Sequence, residues 1–165
     1  MHTSGKAKTI KILCAGNYLM ADDGVAIHIL EKLEHMHMDD VELVNAGVGG
    51  LAILDYMENA DEVIIIDAVR GGGGKPGSIY RFTDTELPPA NLFMISLHDL
   101  NLVDTLSLGR EIQPELMPEH INIVGIEVER VEGICTNLSP KVETAVDAVI
   151  ELVLEEVRRF KTENA

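Results

Sequence analysis

The segment Glu62-Val63-Ile64-Ile65-Ile66-Asp67 constrains this chain more than any other. Four consecutive β-branched apolar residues show no alternation, so a strand made of them has no wet face and must be covered on both sides. That pattern belongs to a parallel sheet with helices packed on each face. The run ends on Asp67, at the carboxyl end of such a strand, where open α/β sheets bind their ligands. A carboxylate placed there must find a partner or lose much of its hydration energy, which marks Asp67 as a site residue; pairing with loop amides is the structural alternative.

The rest of the chain supplies the units that such a sheet needs. Thr9-Ile10-Lys11-Ile12-Leu13-Cys14-Ala15 reads as a strand stopped by Gly16-Asn17, and Val25, Ile29, Leu30 and Leu33 then give one helical stripe. Val41-Glu42-Leu43-Val44 leads through a glycine turn to Leu51, Leu54 and Met57, again one face of a helix. The glycine run 71–74 breaks regular structure, and Ser78-Ile79-Tyr80-Arg81-Phe82 alternates as an edge strand does, with an antiparallel sense expected. Residues 99–112 read as a helix and 121–126 as a second buried strand. From Ser139 onward comes a final helix, with Pro140 in its first turn and Val142, Val146, Val149, Val153, Val157 and Phe160 as its stripe. Right-handed crossovers make this a three-layer α/β/α open twisted sheet of about five mostly parallel strands, of phosphorylase/hydrolase-like type.

At 165 residues the chain has room for one domain, 1–165, with residues 1–8 as a flexible lead-in. No apolar stretch is long and uncharged enough to span a bilayer, and no secretory signal precedes the first strand, so the expectation is a cytoplasmic protein without a membrane partner. The formal charge of −15, with 13 Lys and Arg against 28 Asp and Glu, argues against nucleic acid. Cys14 and Cys135 fall in separate apolar segments and read as reduced core residues.

Three loops beyond strand ends carry chemistry: Gly16-Asn17-Tyr18-Leu19-Met20-Ala21-Asp22-Asp23-Gly24, then Asp67, then Ser96-Leu97-His98-Asp99. Two carboxylates and an imidazole suit a divalent transition metal such as zinc or nickel. Plainer accounts stand beside this one: Asp22 or Asp23 as a helix cap, Ser96 or Asp99 as another, with His98 a bystander. Gly47-Val48-Gly49-Gly50-Leu51-Ala52 also satisfies G-x-G-x-x-A after a strand, with Asp67 about twenty residues on, so a dinucleotide-binding α/β enzyme using Gly47, Gly49, Ala52 and Asp67 is a second reading. Other patterns fail: Lys75 is followed by Pro76 and Val69 stands where a Walker loop needs glycine, no G-x-S-x-G elbow exists, and His35 with His37 marks a solvated helix end.

Gly16-Asn17, Leu19-Met20-Ala21-Asp22-Asp23-Gly24-Val25, Ile65-Ile66-Asp67-Ala68 and Ser96-Leu97-His98-Asp99-Leu100 together resemble the hydrogenase maturation endopeptidases, in order and spacing over essentially the whole chain. The late Val124-Gly125-Ile126 and Leu138-Ser139-Pro140 segments fit as well. The resemblance implies a cytoplasmic peptidase that removes the C-terminal extension of a nickel-iron hydrogenase large-subunit precursor after nickel insertion. It further implies that Asp23, Asp67 and His98 serve as catalytic and metal positions, with nickel delivered by the substrate and zinc or cadmium able to substitute. The substrate-handling positions fall on Asn45, Gly47 and Gly49, where the family usually carries Asp-Gly-Gly and this chain has Asn45-Ala46-Gly47. A non-catalytic nickel-handling accessory protein is the remaining alternative.

Overall fold

The doubly covered strand is β3 (Glu62–Val69), buried at every position. It is the middle member of a five-stranded sheet in the computed structural model, which describes residues 8–86 and 102–165. The other strands are β1 (Ile10–Ala15), β2 (Val41–Gly47), β4 (Ile79–Thr83) and β5 (His120–Glu127), in the order β2-β1-β3-β5-β4. β1 pairs in parallel with β2 and β3, and β3 with β5, while β4 is the antiparallel edge strand that the alternation of residues 78–82 predicts.

Among the described residues four α-helices cover the sheet: α1 (Val25–Glu34), α2 (Ala52–Tyr56), α3 (Leu102–Ile112) and α4 (Pro140–Glu163). Because neighbouring residues of a strand face opposite ways, even- and odd-numbered positions of β3 feed two separate cores. Ile64 and Ile66, with Ile12 and Cys14 of β1, meet Val25, Ile29 and Leu33 of α1 and Val146, Val149 and Val153 of α4. Val63, Ile65 and Val69 meet Ile53 and Met57 on the α2 side, with Leu102 and Leu106 of α3. Asp67 has the odd parity and so faces the α2 and α3 layer. Full burial of an aliphatic side chain contributes about 1.5–3 kcal/mol relative to exposure, so both layers are held by apolar contact.

Some polar residues fasten elements that apolar packing leaves at the margins. Glu156, buried on α4, pairs with Arg81 of the edge strand and accepts from Arg159 at 2.5 Å, which ties β4 to the long helix. Glu127, at the end of β5, accepts from the N–H groups of Gly71 and Gly72 and from the Tyr80 hydroxyl, each at 3.0 Å. The glycine run is therefore fastened to the sheet rather than a loose connector.

The structure departs from the sequence pattern at β3 and at Cys135. β3 continues past Asp67 to Val69, because the ladder to β5 persists through Asp67↔Gly125, Ala68↔Ile126 and Val69↔Glu127 after the apolar run has stopped. Cys135 is half-buried in the loop before α4, bridged to Met20, and is no core residue. The helix read at 99–112 is described from Leu102 to Ile112, and its first three positions lie outside the described residues. His35 and His37 do sit exposed beyond the end of α1, and no described helix is long and apolar enough to cross a membrane.

The two thiols differ in chemistry as well as position. Burial, with the charges of Glu34 and Asp67, pushes the Cys14 thiol up to about 12, so it carries almost no thiolate at neutral pH. A thiol reagent is expected to label Cys135 alone in the native protein and both cysteines in denaturant, read by intact mass.

Candidate functional site

The carboxyl ends of β1, β2 and β3 open onto one cleft, and each contributes through a different local device. After β1 the chain turns at Gly16, whose φ is +153°. A Cβ there would lie 2.1 Å from the Asp23 carbonyl oxygen, so only glycine lets the two backbones touch and brings Asp23 back over the strand end. Asp23 Oδ2 accepts the Asn17 N–H at 3.1 Å.

Asp22 and Asp23 have distinct roles, and neither caps α1, whose N-cap residue is Gly24 with no side-chain cap bond. Asp22 is fully buried and accepts four hydrogen bonds: from Glu129 N–H at 3.0 Å, Arg130 N–H at 2.8 Å, Ser139 N–H at 2.6 Å and the Ser139 hydroxyl at 2.8 Å. Ser139 does stand at the start of α4, but its hydroxyl goes to Asp22 instead of capping that helix. This network holds Ala21 at φ +48°, a conformation that costs a non-glycine residue about 1–2 kcal/mol. The turn that presents Asp23 is thus strained and fastened at once.

Asp67 is 5% exposed, and its Oδ1 accepts the Ala68 N–H at 2.7 Å. Burial raises its pKa well above the ordinary carboxylate range; the nearby charge of Asp23 adds to the shift, and the Ala68 bond opposes it. Asp23 and Asp67 line the cleft together with Gly16, Gly49 and Gly50, and Leu102 and Thr105 of α3 close its far wall. Two carboxylates that share one cleft, one of them buried, ionise together only at a cost unless a cation lies with them. That donor chemistry fits a divalent metal whose remaining ligands come from elsewhere. Among the described residues no three His, Cys, Asp or Glu side chains gather as a complete metal site, and His98 lies outside the described residues.

Of the three positions in the turn after β2, Gly49 lines the cleft, beside Val48 and Gly50, while Asn45 and Gly47 shape the turn without lining it. Asn45 Oδ1 accepts the Gly47 N–H at 2.9 Å, the Gly47 carbonyl accepts from Gly16 N–H at 2.6 Å, and Gly47, Gly49 and Gly50 all have φ between +57° and +75°. An amide oxygen makes this turn as well as a carboxylate oxygen does, so Asn45 keeps the loop shape that an acid would give without adding a charge. The same geometry removes the dinucleotide reading. β2 is an edge strand separated from β3 by β1, so the fingerprint strand and the strand that carries Asp67 are not adjacent as they are in a dinucleotide-binding unit. Ala52 begins a helix of only five residues.

Asp22 is the functional position that the sequence pattern does not reveal, since nothing local links it to a serine 117 residues away.

Comparison with known proteins places this geometry. Residues 27–156 match the family model described as HycI, hydrogenase maturation protease. The hydrogenase 2 maturation protease of Escherichia coli strain K12 is 33% identical over 156 residues, covering 93% of each chain. The hydrogenase expression/formation protein HupD of Thiocapsa roseopersicina is 29% identical over 92% of this chain and 68% of its own. The solved hydrogenase maturating endopeptidase HybD from E. coli superposes with a TM-score of 0.78 at 32% identity, over 92% of this chain and 93% of that one.

The raised pKa of Asp67 sets a pH dependence. Below about pH 4 both the folded and unfolded states hold the proton; as pH rises the unfolded state releases it first, and stability falls until the folded-state value is passed. Asp67→Asn cannot ionise. Urea unfolding of metal-free protein is expected to show Asp67→Asn gaining on the native chain as pH rises from 4 toward 8.

Proposed function

The chain belongs to the hydrogenase maturation protease family and is an endopeptidase of that kind, and from that premise we propose that it removes the C-terminal extension of a nickel-iron hydrogenase large-subunit precursor after nickel insertion, reading the nickel through Asp23, Asp67 and His98. The observation that supports this reading is the pairing of Asp23 with buried Asp67 in one cleft. Two carboxylate oxygens and an imidazole make a mixed donor set that suits nickel, with zinc or cadmium as substitutes.

In this reading nickel arrives as part of the substrate. Docked beside a peptide carbonyl, it supplies Lewis acidity to that carbonyl and to a water. The protein's own groups do the rest. Burial and the Asp23 charge favour the protonated form of Asp67 in the cleft, and a docking cation favours the ionised form, so an unloaded precursor finds less to bind. Gly47 and Gly49 leave open space beside their backbone, where an extended tail can lie, and Asn45 keeps that turn in shape. Hydrolysis adds water to the carbonyl carbon and breaks the C–N bond. A cleft carboxylate takes the proton from the water and returns it to the leaving amine.

Nickel titration and mass analysis of a nickel-loaded precursor test this assignment together. His98→Ala and Asp67→Asn are each expected to lose nickel binding and to slow processing by roughly a hundredfold or more, the scale on which one preorganised group acts. Full processing by His98→Ala would overturn the assignment. Nickel affinity of the native chain should also fall as pH drops through about 6.5, because a ligating imidazole must be neutral.

A further inference from the structure

Exposed apolar side chains stand on several loops at the end of the sheet where the cleft opens. Eight large hydrophobic side chains are exposed among the described residues, and Leu19, Val48, Leu51 and Ile134 all stand on loops at the carboxyl edge of the parallel strands. Ile134 is 92% exposed, the extreme of the set. Isolated exposed apolar residues are ordinary, but several on converging loops at one mouth are not.

Ile134 is also held in place. Its loop is pinned at one end by the Glu129 and Arg130 N–H bonds to Asp22, and at the other by the two bonds from Ser139. In the middle, Cys135 N–H donates to the Leu19 carbonyl at 2.9 Å and the Cys135 carbonyl accepts from Ala21 N–H at 2.7 Å. Leu19 and Ile134 therefore sit on adjoining backbone, four residues upstream of Asp23. A buried carboxylate with four donors is a rigid support, and what it presents to water is an isoleucine. Loop residues fixed in advance lose little entropy on binding, which is what a recognition surface needs.

We propose that Leu19 and Ile134 form a docking edge for the folded body of the hydrogenase precursor, seating an apolar hollow of that protein beside the cleft while its tail enters toward Asp67. This rests on the proposed function and adds the surface that selects the substrate protein. The occupant is a folded partner because these side chains project from loop tips, a shape that complements a concavity and gives a small ligand nothing to enter. The edge is continuous with the cleft in which a maturation protease must hold its substrate, through the loop that carries both Leu19 and the cleft-lining Asp23.

The test is steady-state processing of nickel-loaded precursor by Ile134→Asp and Leu19→Asp, with Ile112→Asp as the matched control. Ile112 is 62% exposed at the far end of α3, about 10 Å or more from the cleft-lining Thr105 by helical rise. Both rim variants are expected to keep the native unfolding temperature and nickel affinity, and to raise KM about tenfold with kcat at saturation unchanged, the scale of one interface anchor. The control should match the native chain. Unchanged KM in both rim variants, while the native chain cuts, would overturn the docking edge and leave the peptidase reading standing. A rise confined to Ile112→Asp would move docking to the α2 and α3 face, and a native dimer dissociated by Ile134→Asp would assign the edge to a second copy; either result overturns the proposal. Failure of the native chain to cut the loaded precursor would instead refute the reading on which the proposal rests.

Discussion

A carboxyl group lodged inside a strand that is buried on both faces, beside a second carboxylate, is the constraint around which this site is built. Asp67 lies where water is scarce, and Asp23 is held toward it in spite of like charge. Left free, the turn at residues 21–24 could relieve the repulsion by moving outward. It is prevented by backbone contact with Gly16 on one side and by the Asp22 network on the other. The cost of the arrangement is borne by hydrogen bonds elsewhere, and its product is a cleft lined by two carboxylates.

Adjacent aspartates show how environment decides role. Asp22, with four donors converging on it, is structural and joins the first unit of the fold to the last helix. Asp23, one position on, turns to the cleft. The same contrast separates Glu127, fastened by two glycine amides and a tyrosine hydroxyl, from Asp67. Carboxylates that gather several donors hold the loops, and the pair that lines the cleft is placed for chemistry.

What the sequence discloses follows from which interactions are periodic. The unbroken Val63-Ile64-Ile65-Ile66 run specifies a doubly covered strand, the α4 stripe specifies a buried helix face, and the alternation in residues 78–82 specifies an edge strand, because each depends on neighbours a few positions away. Asp67 was legible for the same reason: a charge at the end of an apolar run is visible locally. The clasp of Asp22 on Ser139 was not, since it joins residues 117 apart and a serine before a proline reads as a helix cap. The extra length of β3 escaped notice because hydrogen bonding to β5 continues where hydrophobicity stops. The glycine turn after β2 satisfied a dinucleotide pattern because spacing says nothing of strand order, and it is the intervening β1 that removes the match.

The central claim is that the Asp23 and Asp67 cleft recognises nickel on its protein substrate. Incubating the native chain with matched nickel-loaded and nickel-free hydrogenase large-subunit precursors, and weighing the products by mass spectrometry, tests it directly. Only the loaded precursor is expected to be shortened, and equal shortening of both would contradict nickel recognition.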